Sequence, residues 1–488
     1  MRRGTKISLA LYQSAILVMA LRGQGAHGVL IALALLPLAF GLALPAFRSG
    51  IVNFVRKQVG RLAEFGRSHS GPVPWRASAL LVGLPFLIIT LVNGRSISSF
   101  DNYPTILIAE SLLTQGDTEL SEHIITSHEA PRYYLSQNAK GVYSNYPIGM
   151  ALSYLPVLAL ARIVGADIHD AKVQWRLAKL LAAFMGSLIL SGLFLILLKL
   201  SSLRAAAWTT GFLGIGSGLL STVGQGLFNH DGVLLVMVLL LAGEILIEKP
   251  SLGKATIYGL LLAWAASVRL TAVLILGPLV IWLAFRLRWK MLPVLSVAAC
   301  GVATLTLYHW HHYGHLLGPQ FLVAKNLTAT TTNHFATAFW GSLISPSRGF
   351  FIYQPWALLF FLGLTRASFA LLPQGLGLAL LAGMILHFAT ITQWPIWWGG
   401  HCWGSRLMTE WLIPVSLLVA LVIDNRSIGK KTLVTLALLA GLMQLPYVLG
   451  KARFWMDDPI HSEQFVPMEE RLWSWRDFPP LYSFNPFR

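Results

Sequence analysis

The residues best placed to do chemistry are an aspartate and a few arginines and tyrosines standing at the edges of apolar runs. Asp101, in Ser-Phe-Asp-Asn-Tyr-Pro, follows the run 77–93 at the expected boundary between water and lipid. A carboxylate there can accept the proton of a hydroxyl that attacks a lipid-borne substrate. Its plainer job is to cap a helix that starts with Pro104 in the first turn. Arg269, in Ala-Ser-Val-Arg-Leu-Thr, interrupts a long apolar stretch. An ionisable group at that depth is costly and faces a cavity, a partner or a substrate. Arg348 (Ser345-Pro-Ser-Arg-Gly-Phe-Phe) and Arg406 (Trp397-Trp-Gly-Gly-His-Cys-Trp-Gly-Ser-Arg) stand at the mouths of other runs. Guanidinium forks suit phosphate oxygens, and they equally suit an acid or a backbone carbonyl.

The segment from Gly141 to Met150 carries Tyr143 and Tyr146 among glycine and proline. Tyrosines can anchor a loop at the membrane interface or form the wall of a sugar or phosphate site. His230, in Phe-Asn-His-Asp, can touch a phosphate or simply pack. His309, His311, His312 and His315 invite a metal reading, because His311 and His315 would share a helix face four residues apart. No carboxylate motif accompanies them, so no metal ligands are assigned. Asp117, beside Gly116, reads as a turn residue ending the helix that begins near Asp101. The apolar and polar residues of that helix suggest a segment lying in the interface.

The elements that must position these residues follow from composition. The chain has 488 residues, 55% hydrophobic and only 12% charged, with a mean hydropathy of +0.63. Apolar runs repeat at the length needed to cross roughly 30 Å of hydrocarbon. This is the signature of an all-α polytopic membrane protein, and the alternating short strands of a membrane barrel are not visible. Candidate spans are 7–21, 28–46, 77–93, 174–198, 205–224, 231–247, 255–268, 270–284, 291–308, 350–365, 367–391, 407–423 and 432–449, about thirteen crossings. The first run has no small-residue cleavage site and reads as a helix rather than a removable signal.

The formal charge is +17, but the bases lie in short loops, which topology and anionic headgroups explain better than nucleic acid. With the 48–76 stretch inside, 20 of the 37 Lys and Arg fall on the cytoplasmic side and 17 on the other. That bias requires 147–165 to be juxtamembrane or re-entrant rather than a crossing. The outward side then holds the loop 94–173, Arg269, the loop 309–349, the turn 394–406 and the tail. Three regions result: a helical hairpin with a basic linker (1–76), a transmembrane core (77–449) and an outer tail (450–488). Cys300 and Cys402 offer no disulfide framework.

Phosphate-binding Gly-Lys-Ser/Thr loops, serine-hydrolase elbows, dinucleotide fingerprints and zinc-protease helices are all missing from the sequence. What remains resembles the polyprenyl-phosphate-sugar-dependent membrane glycosyltransferases of the GT-C fold. The nearest group is the family-39-like proteins, relatives of the aminoarabinose and protein O-mannosyl transferases. The resemblance runs from about residue 77 and rests on Asp101-Asn-Tyr-Pro, Tyr143-Ser-Asn-Tyr-Pro-Ile-Gly, Gln225-Gly-Leu-Phe-Asn-His and Arg269. Ser345-Pro-Ser-Arg-Gly-Phe-Phe-Ile-Tyr-Gln-Pro and Trp397-Trp-Gly-Gly-His-Cys-Trp-Gly-Ser-Arg complete it.

The chain departs from the family in having Asn102 where a second carboxylate often stands, and in lacking a Lys-Pro-Pro motif. The resemblance implies an inverting transfer from a polyprenyl-phosphate carrier to a glycolipid, polysaccharide or protein at the outer face of a bacterial inner membrane. Asp101 would be the base, and Arg269, Arg348, Arg406 and Lys140 would steady the departing phosphate. Tyr143, Tyr146 and His230 would border the substrate. It implies no nucleotide, and leaves room for a divalent cation as cofactor. Two rivals are a transporter or flippase of lipid-linked sugars and a ligase of the other membrane-transferase architecture. The first lacks an inverted repeat, and the second would place its large outer loop late in the chain.

Overall fold

A computed structural model describes residues 45–69, 71–93, 101–123, 134–247, 251–319, 334–400, 402–449, 468–476 and 478–483. The span expected at 7–21 lies outside them, as do 28–46 except its last two residues and most of the tail.

The described chain is helical apart from one hairpin. After α1 (Pro45–Ser68), a helix begins at Trp75–Ser78, loosens into a π-turn at Ala79–Gly83 and continues as α2 (Leu84–Val92). Next come α3 (Tyr103–Thr114), the antiparallel strands β1 (Leu135–Asn138) and β2 (Gly141–Ser144), and α4 (Gly149–Ile163). Helices α5 (Ala171–Leu200), α6 (Leu203–Ile215), α7 (Asn229–Ile245) and α8 (Leu252–Val268) follow. Then come α9 (Ala272–Leu287), α10 (Met291–Tyr313) and α11 (Phe335–Ile344). Finally, α12 (Leu376–Ile391), α13 (Leu412–Asn425) and α14 (Lys430–Val448) complete the main helices.

Among the described residues, five stretches are long and apolar enough to cross a membrane: Trp75–Val92, Ala171–Leu200, Ala272–Tyr313, Arg406–Asn425 and Lys430–Val448. The third is α9 and α10 together, interrupted at Arg288, whose φ is +53°. Shorter apolar helices include α4, α8, α11 and α12. Several expected crossings are broken. The run 350–365 divides into Phe350–Tyr353, Pro355–Leu358 and Leu359–Gly363. Pro355 cannot donate the hydrogen bond that would continue the first piece. The run 367–391 divides between Arg366–Ala370 and α12, with Pro373 and a left-handed Gly375 (φ +81°) between them. Hydropathy reads such runs as continuous because apolar composition persists through the break.

The interior is built on α5 and α13. The apolar window of the Arg406–Asn425 stretch, which ends in α13, is 89% buried, against 11% for the α9–α10 stretch. Thus α13 is a core element, whereas α9 and α10 present large apolar side chains outward, as a lipid-facing surface would. Helices α8 and α10 approach closely at Gly259, where a Cβ would stand 2.8 Å from the Val294 carbonyl oxygen.

Two local expectations change. α3 does begin with Pro104 in its first turn, but residues 104–111 are all buried, Glu110 included. It packs against α4 and over those residues presents no exposed polar face, and Glu110 is held by Gln174 at 2.5 Å and His169 at 2.6 Å. The second change concerns the histidines. α10 runs on through Tyr313 and ends at Gly314, which is left-handed (φ +67°). His315 therefore stands past the helix end, and the helical i, i+4 pairing with His311 does not form.

Candidate active site

Asp101 sits one residue before the N-cap of α3, and Asn102 at that cap makes no side-chain capping bond. The Asp101 carboxylate turns instead to two residues far away in sequence. Tyr146, just beyond β2, donates its hydroxyl to Oδ1 at 2.6 Å. Arg406 forms an ion pair with Oδ2. Both members of the pair are largely shielded, with side-chain exposures of 20% for Asp101 and 11% for Arg406. A pair with those exposures is screened far less by water than a surface pair. The sequence could nominate all three residues separately, but the triad itself is a tertiary fact.

Arg406 reaches Asp101 because a glycine-rich turn aims it. Gly399, Gly400 and Gly404 all have positive φ, at 76°, 69° and 66°. L-residues with a Cβ disfavour that region. Arg406 Nη2 holds the Gly399 carbonyl at 2.7 Å. Arg348, 3% exposed, grips the same turn through Nε to Trp398 O (3.1 Å) and Nη2 to Gly400 O (3.2 Å), with Nη1 on Ser347 O (2.8 Å). Its three nitrogens are thus occupied by carbonyls. Arg348 supports the turn that aims Arg406, and does not itself meet Asp101. Arg406 Nε is buried without a hydrogen-bond partner, and its guanidinium lies 5.5 Å from the centre of the Phe228 ring.

Arg406 opens the short helix Arg406–Trp411, and four residues on stands Glu410, 1% exposed. Glu410 is the centre of a second cluster. Oε1 receives Arg269 Nη1 at 2.8 Å and lies 2.8 Å from His230 Nδ1, while His387 Nε2 lies 3.7 Å from Oε2. So Arg269 and His230, singled out separately in the sequence, meet on one carboxylate. Sequence reasoning passed over Glu410 and His387. The signal was present: an acid and a histidine inside apolar runs are costly unless partnered. Next to His230, Asp231 is fully buried with both carboxylate oxygens lacking a hydrogen-bond partner, and Trp411 Nε1 and His387 Nδ1 are likewise unpaired. Such a concentration of unfilled donors and acceptors is where water or a polar ligand belongs.

Lys140 and Tyr143 serve a different contact. Lys140 Nζ bonds the His311 carbonyl and Asn138 bonds that of His312 at 2.8 Å, so the hairpin closes the C-terminal end of α10. A cation there also opposes the negative end of the helix dipole. The Tyr143 ring packs 4.7 Å from His312 and 5.9 Å from Tyr313. Burial raises the Tyr143 phenol above its ordinary range, with the Glu119 and Asp117 carboxylates adding to the rise. Asp117 is a turn residue, accepting from Ser111 Oγ at 2.8 Å and the Glu119 amide at 3.1 Å. Among the described residues no three His, Cys, Asp or Glu side chains converge to hold a metal ion.

Fold and site together define an all-α chain, with helices able to cross a membrane, that gathers buried carboxylates, arginines and histidines on the turn and short helix ahead of α13. A scan against protein-family models, a search of curated proteins and a search of solved structures each find no match to it.

Proposed function

We propose that the chain is a glycosyltransferase that moves a sugar from a polyprenyl-phosphate carrier to an acceptor hydroxyl at the outer face of a bacterial inner membrane. The observation that carries this reading is the Asp101–Tyr146–Arg406 triad, a carboxylate base beside a phosphate-compatible guanidinium. Arg406 and Asp101 neutralise each other when no substrate is bound. The carrier's phosphate competes for the Arg406 fork, whose Nε still lacks a partner. Its arrival frees Asp101 to act.

The acceptor O–H proton then passes to Asp101 as that oxygen attacks the anomeric carbon. The bond from that carbon to the phosphate oxygen breaks, and its electron pair leaves with the polyprenyl phosphate. Arg406, with Arg269 behind it, offsets the charge that develops there. Attack opposite the phosphate inverts the anomeric centre. The acceptor is a glycolipid, polysaccharide or protein.

The transporter reading draws on one observation of its own, the buried Arg269–Glu410–His230 cluster beside unpartnered Asp231. Mass spectrometry of glycolipids and envelope glycans from cells carrying the parent or Asp101→Asn separates the two. Transfer predicts that one product loses a single sugar, at matched membrane levels of protein. Unchanged products would sink the transferase reading.

A further inference from the structure

A second charged site stands at the far end of α7 from His230. From Asp231 to Glu244 the helix rises roughly 20 Å, at 1.5 Å per residue. There Glu244, its side chain 3% exposed, receives Lys254 Nζ at 2.7 Å on Oε1 and Arg286 Nε at 2.7 Å on Oε2. The Tyr258 hydroxyl donates to Oε1 at 2.9 Å. Arg288 and Lys290 follow in the turn between α9 and α10. Residues 251–293 carry no Asp or Glu, so among the described residues Lys254, Arg286, Arg288 and Lys290 gather at this end of the helices with the single carboxylate of Glu244, while Glu248 and Lys249 lie outside the described residues. Lys290 makes no ion pair among the described residues, and its Nζ lies 5.9 Å from the centre of the Trp289 ring.

Beside this cluster is a cavity of about 120 Å³, lined by Ser251, Lys254, Tyr258, Trp289 and Lys290 among others. The start of α8 borders it, adding the positive end of a 17-residue helix. Leu252 and Trp289 line it and are 71% and 73% exposed, and Phe285 and Leu292, neighbours in sequence of its lining residues Leu287 and Pro293, are 80% and 64% exposed. Excess positive charge in a small recess, ringed by exposed aliphatic and aromatic side chains, is a two-part surface.

We propose that this recess binds the phosphate of an anionic phospholipid, with its acyl chains along Leu252, Phe285 and Leu292. Lys290 is the cation free to meet the phosphate, since Lys254 is already shared with Glu244. Trp289 sits where an amphipathic ring favours the headgroup level. A soluble phosphate ester would use the same cations but leave the apolar collar uncovered. The site is independent of the sugar-transfer reading and lies at the other end of the bundle from Glu410.

The test uses the full chain in detergent micelles, titrated with phosphatidylglycerol or phosphatidylcholine. Native mass spectrometry counts bound lipid, and thermal unfolding reports stabilisation. The expected result is preferential retention of phosphatidylglycerol, weakened about fivefold in Lys290→Ala, since a basic residue near an anionic lipid surface contributes about 1 kcal/mol. Lys290→Arg should keep the preference and Lys290→Glu should abolish it. Matching melting temperatures without lipid show that each variant is folded. Equal retention of the two lipids, or an affinity unchanged in both Lys290→Ala and Lys290→Glu, overturns the proposal. Displacement of phosphatidylglycerol by millimolar inorganic phosphate overturns the lipid assignment and marks the recess as a soluble-phosphate site.

Discussion

Tyr146 donates its hydroxyl to Asp101 at 2.6 Å, while Arg406 closes on the other oxygen of the same carboxylate. The base proposed for the reaction is thus held by a neutral donor and a cation at once. The neutral donor orients it, and the cation masks it. This predicts distinct losses for the two partners.

Tyr146→Phe removes one hydrogen bond to a charged acceptor and leaves the ion pair. Such bonds contribute about 1.5–3 kcal/mol, so transfer should fall roughly ten- to hundredfold in a membrane assay. Asp101→Asn should cost about a hundred- to ten-thousandfold, the range of general-base catalysis. Equal activity of Tyr146→Phe and parent would remove Tyr146 from the site.

Glu410→Gln leaves Arg269, His230 and His387 without their shared anion in a nearly water-free place. Breaking a buried pair from one side costs about 3–5 kcal/mol, which should appear as a large drop in the detergent melting temperature. The double variant Glu410→Gln with Arg269→Gln should be less destabilised than the two single losses summed. Strict additivity would show that the residues do not act as one cluster.

In the turn that aims Arg406, two glycines should respond differently to alanine. At Gly400 an added Cβ meets nothing within 4 Å, so only the positive φ is penalised, at roughly 1–2 kcal/mol. At Gly404 the Cβ would also stand 2.8 Å from the Tyr353 ring. Gly404→Ala should therefore melt lower than Gly400→Ala and lose more activity, because Arg406 moves with the turn.

Glu119 carries a pH signature. Burial pushes its carboxyl up, but hydrogen bonds from the Ser121 hydroxyl (2.5 Å) and the Val142 and Ser121 amides outweigh it, leaving the group below its ordinary range. The unfolded chain then binds the proton first. The stabilisation is complete above the unfolded value of about 4.3 and is lost as pH falls through the lower folded value. Stability curves against pH should show a smaller acid-side loss in Glu119→Gln than in the parent. Parallel curves would rule out Glu119 as a contributor.

Some of this was legible from residues alone. Ala171–Leu200 and Trp75–Val92 appear where hydropathy puts them, because a run that long and apolar has few stable alternatives to a helix in lipid. The start of α3 at Tyr103, and its end near Gly116, follow from proline and glycine. Other local rules failed for identifiable reasons. Apolar composition could not reveal the breaks at Pro355 and Gly375, and the run of histidines could not show that Gly314 ends the helix before His315. The hairpin at residues 135–144 was not anticipated, being too short to register as alternation.

The sequence by itself determined that this is a helical chain of membrane character, and which few polar residues stand at costly positions, because the expense of burying polarity in lipid is a local property of each run. Only the tertiary structure decided who meets whom. Asp101 finds Tyr146 and Arg406, Arg269 and His230 find Glu410, and Arg348 spends its donors on backbone carbonyls. Those pairings depend on how helices distant in sequence pack, and electrostatic attraction acts through space with no regard for position along the chain.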